Sequence, residues 1–315
     1  MLRLRPRPRL LLALLSGLAA CGAESTPSGP AAPSALRPVV AAASGPAALV
    51  AAAAGAEAVE LVAPLGAEMA TWRPDDASLD AMVTARSVVV VGDGFEPWLQ
   101  RAGLPPSRTV RLEAAIPDER WIEVGTFTHT HGGGEAHEHG GRVEAVWTDP
   151  EALRSMHALA LSRLGGEGDG APGFEARVRA YEAQLRALSE ALDGRALIAT
   201  GHGLEYLCRA AGITLEVTAL ELDGAGDTPN SLAVRDLEAL AGRRERHAGV
   251  LVWPGRLDEP FAGKVQATLG LRSVDFDLGG ALAERDTLER LTESAARLRA
   301  AVASSEDPTA GPKDR

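Results

Sequence analysis

Short apolar runs alternate with helix-period segments along almost the whole chain, and that alternation leaves little choice of architecture. Parallel strands need a crossover between them and are buried on both faces, so this pattern points to α/β folding with helices packed over parallel sheets. Candidate strands cover 39–43, 59–63, 87–91 and 109–113 in a first set and 196–200, 213–217, 248–252 and 272–277 in a second. Between the sets lies the longest amphipathic segment, with Phe174, Val178, Tyr181, Leu185, Leu188 and Leu192 stepping by four and three. Pro172 suits a first helical turn and Gly194 an end. At 1.5 Å per residue, a helix over 172–193 would span roughly 33 Å, the width of a small domain. Such a helix can be a rigid backbone between two lobes or a crossover within one sheet, and the pattern leaves both open. With 45% apolar and 24% charged residues, the 315-residue chain holds one large or two ordinary domains, so disorder throughout is excluded. Aromatic residues are only 4%, so the core must rest on Ala, Leu and Val.

Residues 1–20 carry Arg3, Arg5, Arg7 and Arg9, then an apolar run from Leu10 to Ala20, which reads as an export signal. The run is about half the ~20 residues a spanning helix requires. Leu18-Ala19-Ala20-Cys21 resembles the lipobox of bacterial lipoproteins, in which the cysteine is lipidated and becomes the mature N-terminus. The Ser-, Pro- and Gly-rich stretch 21–37 then serves as a tether. Cys208 is the second of two cysteines, so consuming Cys21 leaves no intramolecular disulfide. Net charge is −11, and removing the four leader arginines takes the mature chain to −15, which excludes a nucleic-acid binder lacking any basic face. The tail 304–315 is expected to be disordered.

Gly168 to Gly173 match the letters G-x-G-x-x-G, but they follow a helical stretch and carry Pro172 and acidic neighbours, so they read as a helix-to-helix loop. No G-x-S-x-G elbow or nucleophile constellation is present, and an enzyme is not expected. The histidines say more. His129 and His131, then His137 and His139, place four imidazoles within eleven residues around a Gly-rich, acidic spacer, a composition suited to capturing zinc or a neighbouring transition metal on a mobile loop. His202 follows the strand 196–200 directly and Asp277 ends the strand 272–277. Ligands of open parallel sheets bind beyond strand carboxyl ends, so both residues address one mouth.

These residues stand in an order that is similar to the substrate-binding proteins of zinc/manganese ABC transporters. The carriers are Gly94 to Leu99, the His-rich loop 129–139 leading into Val146-Trp147-Thr148-Asp149-Pro150, the long helix, His202-Gly203-Leu204-Glu205-Tyr206-Leu207, and Asp277-Leu278-Gly279. The resemblance implies two Rossmann-like lobes, 38–165 and 195–303, joined by a long rigid helix over 172–193. It also implies a monomer, exported and lipid-anchored on the periplasmic or cell-surface side, that holds a divalent metal between the lobes and delivers it to an ABC permease. The His-rich loop favours zinc. His202 and Asp277 match the family's third histidine and carboxylate, whereas the first two histidine positions fall at Ala70 and Ala145, and Trp253 replaces an acidic residue. Glu144 is a poor substitute if that segment is extended, because it would then face away from Ala145. Completion of a site around His202 therefore falls to His129, His131, His137 and His139. The alternative is a degenerate member that acts as a surface-anchored interaction or metal-buffering protein.

Overall fold

The computed structural model describes residues 40–56, 58–129, 137–165, 173–218, 238–239, 242–243, 246–255 and 259–305. The leader, Cys21 and its tether, His131, the stretch 168–172 and the tail residues 306–315 lie outside the described residues. All eight expected strands are present, with ends that agree within two residues. The first sheet runs β2 (Val59–Leu61), β1 (Val40–Ala42), β3 (Ser87–Val90) and β4 (Thr109–Arg111), and every pairing is parallel. Helix α1 (Gly45–Ala53) links β1 to β2, α2 (Asp76–Thr84) links β2 to β3, and α3 (Leu99–Ala102) lies between β3 and β4. Helix α1 is buried at every position but Ala52, which a helix of larger side chains could not match at this depth.

After β4 comes an antiparallel ribbon of β5 (Glu123–His129) and β6 (His137–Arg142), with a register break between Val124 and Phe127. The histidine-rich segment is thus flanked by strands where a loop was expected. The Val, Thr and Phe residues at 124–128 favour a pleated backbone and extend the pairing into the histidines themselves. Across the ribbon His129 stands opposite His137, and Phe127 opposite His139. Helix α4 (Pro150–Leu164) then packs on α1. Its N-cap Asp149, nearly buried, accepts from the Glu151 N–H at 2.9 Å and from Arg120 at 2.9 Å.

Helix α5 (Phe174–Leu192) buries all six apolar residues of the expected stripe. It leads into the second sheet, ordered β10 (Arg272–Phe276), β9 (His247–Pro254), β7 (Ala196–Ala199), β8 (Leu215–Val217), again wholly parallel. Helix α6 (Glu205–Ala211) links β7 to β8, α7 (Glu259–Leu269) links β9 to β10, and α8 (Thr287–Ser304) ends the described chain and packs along α5. One apolar core runs through both sheets, and a smaller one of Ile198, Leu251, Trp253, Val265, Leu269 and Leu271 fills the space beside α7. Trp253, the position where an acid was expected, belongs to that second core. No helix among the described residues is long and apolar enough to cross a membrane.

Candidate functional site

The carboxyl ends of β2, β3, β7, β9 and β10 open onto one cleft of about 1040 Å³. Its two sides are cross-linked: the Trp147 indole N–H donates to the Leu278 carbonyl at 2.7 Å, the Gly45 N–H to Gly280 at 2.9 Å, and the Gly66 N–H to Leu282 at 2.8 Å. Phe95 and Trp147 form an aromatic wall with ring centroids 4.5 Å apart. Gly280 runs against that wall, where a Cβ would sit 2.9 Å from the Phe95 ring, so only glycine lets the two sides approach this closely.

His202 lines the cleft just past β7, as its position after a strand end implies. Its Nδ1 is hydrogen-bonded to Glu205 Oε1, and Glu205 Oε2 accepts the Gly203 N–H at 2.6 Å. Burial pushes the Glu205 carboxyl up, but the hydrogen bonds from His202 and the backbone outweigh it and hold the group below the usual carboxylate range. In a neutral histidine whose Nδ1–H is donated to a carboxylate, the lone pair is on Nε2, the form in which histidine binds metal. Gly203 adopts φ +129°, and a Cβ there would meet Leu278 at 2.7 Å, so the turn that projects His202 depends on this glycine.

Asp277 also lines the cleft, but it is engaged. Its two oxygens accept from Arg290 Nε and Nη2 at 2.7 Å each, and Oδ1 accepts the Gly279 N–H at 2.9 Å. Arg290 donates in addition to the Ala281 carbonyl at 2.6 Å. Sequence reasoning missed this partner because no spacing rule connects a strand end to a residue thirteen positions later, one turn into a helix. The expectation for Glu144 is corrected. Ala145 takes φ −77°, ψ 41° at the start of a 3-10 turn over Val146–Thr148, so the chain is not extended, and Glu144 and Ala145 both line the cleft. Glu144 keeps solvent contact within a concave surface whose walls displace most of its water, and that desolvation raises its carboxyl to about 7. Ala145 is buried and supplies no donor, and Ala70 is exposed in the turn after Met69. Among the described residues no group of three or more His, Cys, Asp or Glu side chains stands together as a metal cluster. The base of the β5–β6 ribbon, at Val124, Arg142 and Val143, forms part of the cleft wall, and His129, His137 and His139 lie further along the two strands of that ribbon.

The model of the zinc-uptake complex component A periplasmic family, ZnuA, matches residues 39–295. The chain belongs to the ZnuA family. Its fold is that of solved ZnuA-like proteins. The metal-dependent lipoprotein YcdH from Bacillus subtilis is 12% identical, with 83% of this chain and 98% of that one covered at a TM-score of 0.65. The Zn(II)-bound ZnuA-like domain of Streptococcus pneumoniae AdcA is 14% identical, with 85% and 99% covered at 0.62. The periplasmic zinc-binding protein TroA from Treponema pallidum is 14% identical, with 85% and 99% covered at 0.61. No curated protein is similar enough in sequence to count as a relative. As a ZnuA-family chain, the protein is of the substrate-binding class of ABC transporters.

Proposed function

We propose that this chain captures a divalent metal ion, zinc, beside His202 and passes it to an ABC permease while tethered to the membrane by lipid on Cys21. In this reading the lobes are 38–165 and 195–303, and the helix over 172–193 is their rigid link. The observation that carries it is His202, held at the carboxyl end of β7 with Nδ1 on Glu205, in a cleft whose wall is the base of the histidine-bearing ribbon. Zinc takes four ligands, or three and a water, and His202 alone does not meet that need. The imidazoles of His129, His131, His137 and His139 are the nearest supply of the nitrogen donors that zinc accepts. From Val124 to His129 an extended strand runs ~17 Å, so the ribbon must bend back over the cleft. The register break between Val124 and Phe127 and the pair Gly140-Gly141 put the pliable points near its base. The acid-rich mature chain, at −15, also draws cations toward the mouth.

The alternative reading, a degenerate family member that buffers metal or binds a partner at the surface, is favoured by one observation: Asp277 is held by Arg290. A competitive zinc titration of the wild type, His202→Ala and a deletion of 129–139 separates the two. Metal capture expects stoichiometric binding in the wild type that either change weakens by at least about tenfold. Wild-type binding no tighter than that of the isolated histidine-rich peptide would leave the degenerate reading standing.

A further inference from the structure

Independently of what the cleft takes up, we infer that Glu96 is a proton-operated latch: protonated, its buried carboxyl lets the two sides of the cleft close on each other, and ionised, it loosens the seam that Ser44, Gly45 and Phe95 form with residues 279–281. That seam is closely fitted. The Gly45 N–H donates to the Gly280 carbonyl at 2.9 Å, and a Cβ on Gly45 would lie 2.7 Å from Thr287 Oγ1 and 2.8 Å from the Ala281 carbonyl. The Phe95 ring packs on Gly280 and on Trp147. Glu96 stands between these two contacts. Phe95 precedes it in the chain, and its side-chain neighbour is the hydroxyl of Ser44, which precedes Gly45. A displacement that brings water to Glu96 through either neighbour therefore disturbs a contact with the opposite side.

Glu96 and Ser44 are both fully excluded from solvent, and Glu96 Oε1 and Ser44 Oγ each lack a partner of good geometry. A neutral carboxyl has an O–H to give to the Ser44 oxygen, which satisfies both atoms. A carboxylate here is an uncompensated buried charge. Burial disfavours it most, Glu113 adds to that, and the hydrogen bonds from Ser44 and the backbone offset only part, so the carboxyl is raised to about 7. The charges facing the pair are acidic or already matched. On the side of the first sheet they are Asp93, Glu113 and Arg111, whose guanidinium is engaged by Asp93 at 2.7 Å and by Glu113 at 3.5 Å. The segment 279–281 brings backbone, α8 brings the Thr287 hydroxyl, and the charges of that side, Asp277 and Arg290, are bonded to each other. Moving toward Asp93 and Glu113 would set a third carboxylate beside two. The seam, held by neutral hydrogen bonds and ring contacts, is where an ionised Glu96 gains water at least cost.

The test is hydrogen exchange read by mass spectrometry on the purified chain at pH 5.5, 7 and 8.5, with rates divided by those of an unstructured chain at the same pH. A chelator is present throughout, so the outcome does not depend on metal capture. Peptides carrying Gly45 and Gly66, whose N–H groups donate across the cleft, report its opening, and peptides from the centres of β7 and β9 report global unfolding. The latch expects cleft peptides to be less protected than the sheet centres at every pH. Their protection should fall by about tenfold or more from pH 5.5 to 8.5 in the wild type, and by less than about twofold in Glu96→Gln, which has no proton to lose. Protection that does not change with pH would overturn the inference, as would the same pH dependence in folded Glu96→Gln, or cleft peptides that exchange only as fast as the sheet centres. If Glu96→Gln does not fold, Glu113→Gln decides. It removes the like charge that disfavours ionised Glu96, so the midpoint of the protection profile should move to lower pH, and an unmoved midpoint counts against the latch.

Discussion

Glu96 is fully buried at the amino end of α1, with Oε2 accepting the Val91 and Gly92 N–H groups at 2.6 and 3.1 Å. Its Oε1 lacks a partner of good geometry, although the nearby Ser44 hydroxyl favours the charged form. Burial is the largest influence and raises the carboxyl to about 7, with the Glu113 charge adding to it against the hydrogen bonds. The folded chain thus holds this proton up to about pH 7 while the unfolded chain releases it near the ordinary 4.5. Between those values the native state binds more protons, so the group's contribution is fully present below ~4.5 and is lost as pH rises through 7, by on the order of 3 kcal/mol. Glu96→Gln keeps an acceptor for both N–H groups and has no proton to lose. Urea unfolding of both proteins at pH 5 and pH 8 should show the variant gaining relative to the wild type at the higher pH; equal pH dependence would place the buried charge elsewhere. Glu96 sits inside the family-like run Gly94 to Leu99, yet nothing in those letters reveals that the acid is a buried backbone clamp, because its partners are N–H groups set by the β3–α3 turn. The same limit hid Arg290, whereas His202 was legible since a residue just past a parallel strand has one place to go.

At the scale of elements the fold was almost wholly legible, for a physical reason: parallel strands buried on both faces must be short and apolar, and helices between them must carry a stripe. Helix α5 shows how far that reaches. Its six apolar residues are all buried, and it packs on α4 from the first half of the chain and on α6 and α8 from the second. Removing methylenes from such a stripe costs the lost transfer energy and leaves a cavity, so Leu185→Ala should destabilise by ~2–5 kcal/mol. Because the helix serves both sheets, thermal unfolding should remain a single shifted transition. A variant in which one half melts at its original temperature would show that α5 does not couple them. What periodicity could not reveal was the β5–β6 ribbon, since Gly and His dominate its second strand and strand-formers are confined to the first. A two-stranded ribbon carries no buried face of its own in the sequence, and its register with the opposite strand emerges only once Ile122 and Val143 are joined, the Val143 N–H donating to the Ile122 carbonyl at 2.9 Å.

For the whole molecule, export, tethering and capture make separate claims on the chain. If lipid on Cys21 holds the protein to a membrane, Cys21→Ser should move it to the soluble exported fraction, as read by fractionation, because no described helix substitutes for the anchor. Capture should appear in stability. A ligand that binds only the folded state adds RT ln(1 + [L]/Kd), about 2.7 kcal/mol when free ligand is a hundredfold above Kd. In a domain of this size each kcal/mol is worth roughly 2–4 °C, so saturating zinc should raise Tm by about 5–10 °C, and a chelator should reverse it. The gain has a pH signature of definite sign. Histidine ligands must be deprotonated, so the shift should be full at neutral pH and fade as pH falls below ~6.5. Deleting 129–139 removes four of the imidazoles while leaving both sheets and the helix between them, so the metal-free Tm should hold and only the zinc-dependent rise should vanish. If the deletion keeps the rise, the ribbon histidines do not complete the site around His202; if the intact chain shows no rise at all, metal capture in this cleft is the reading that fails.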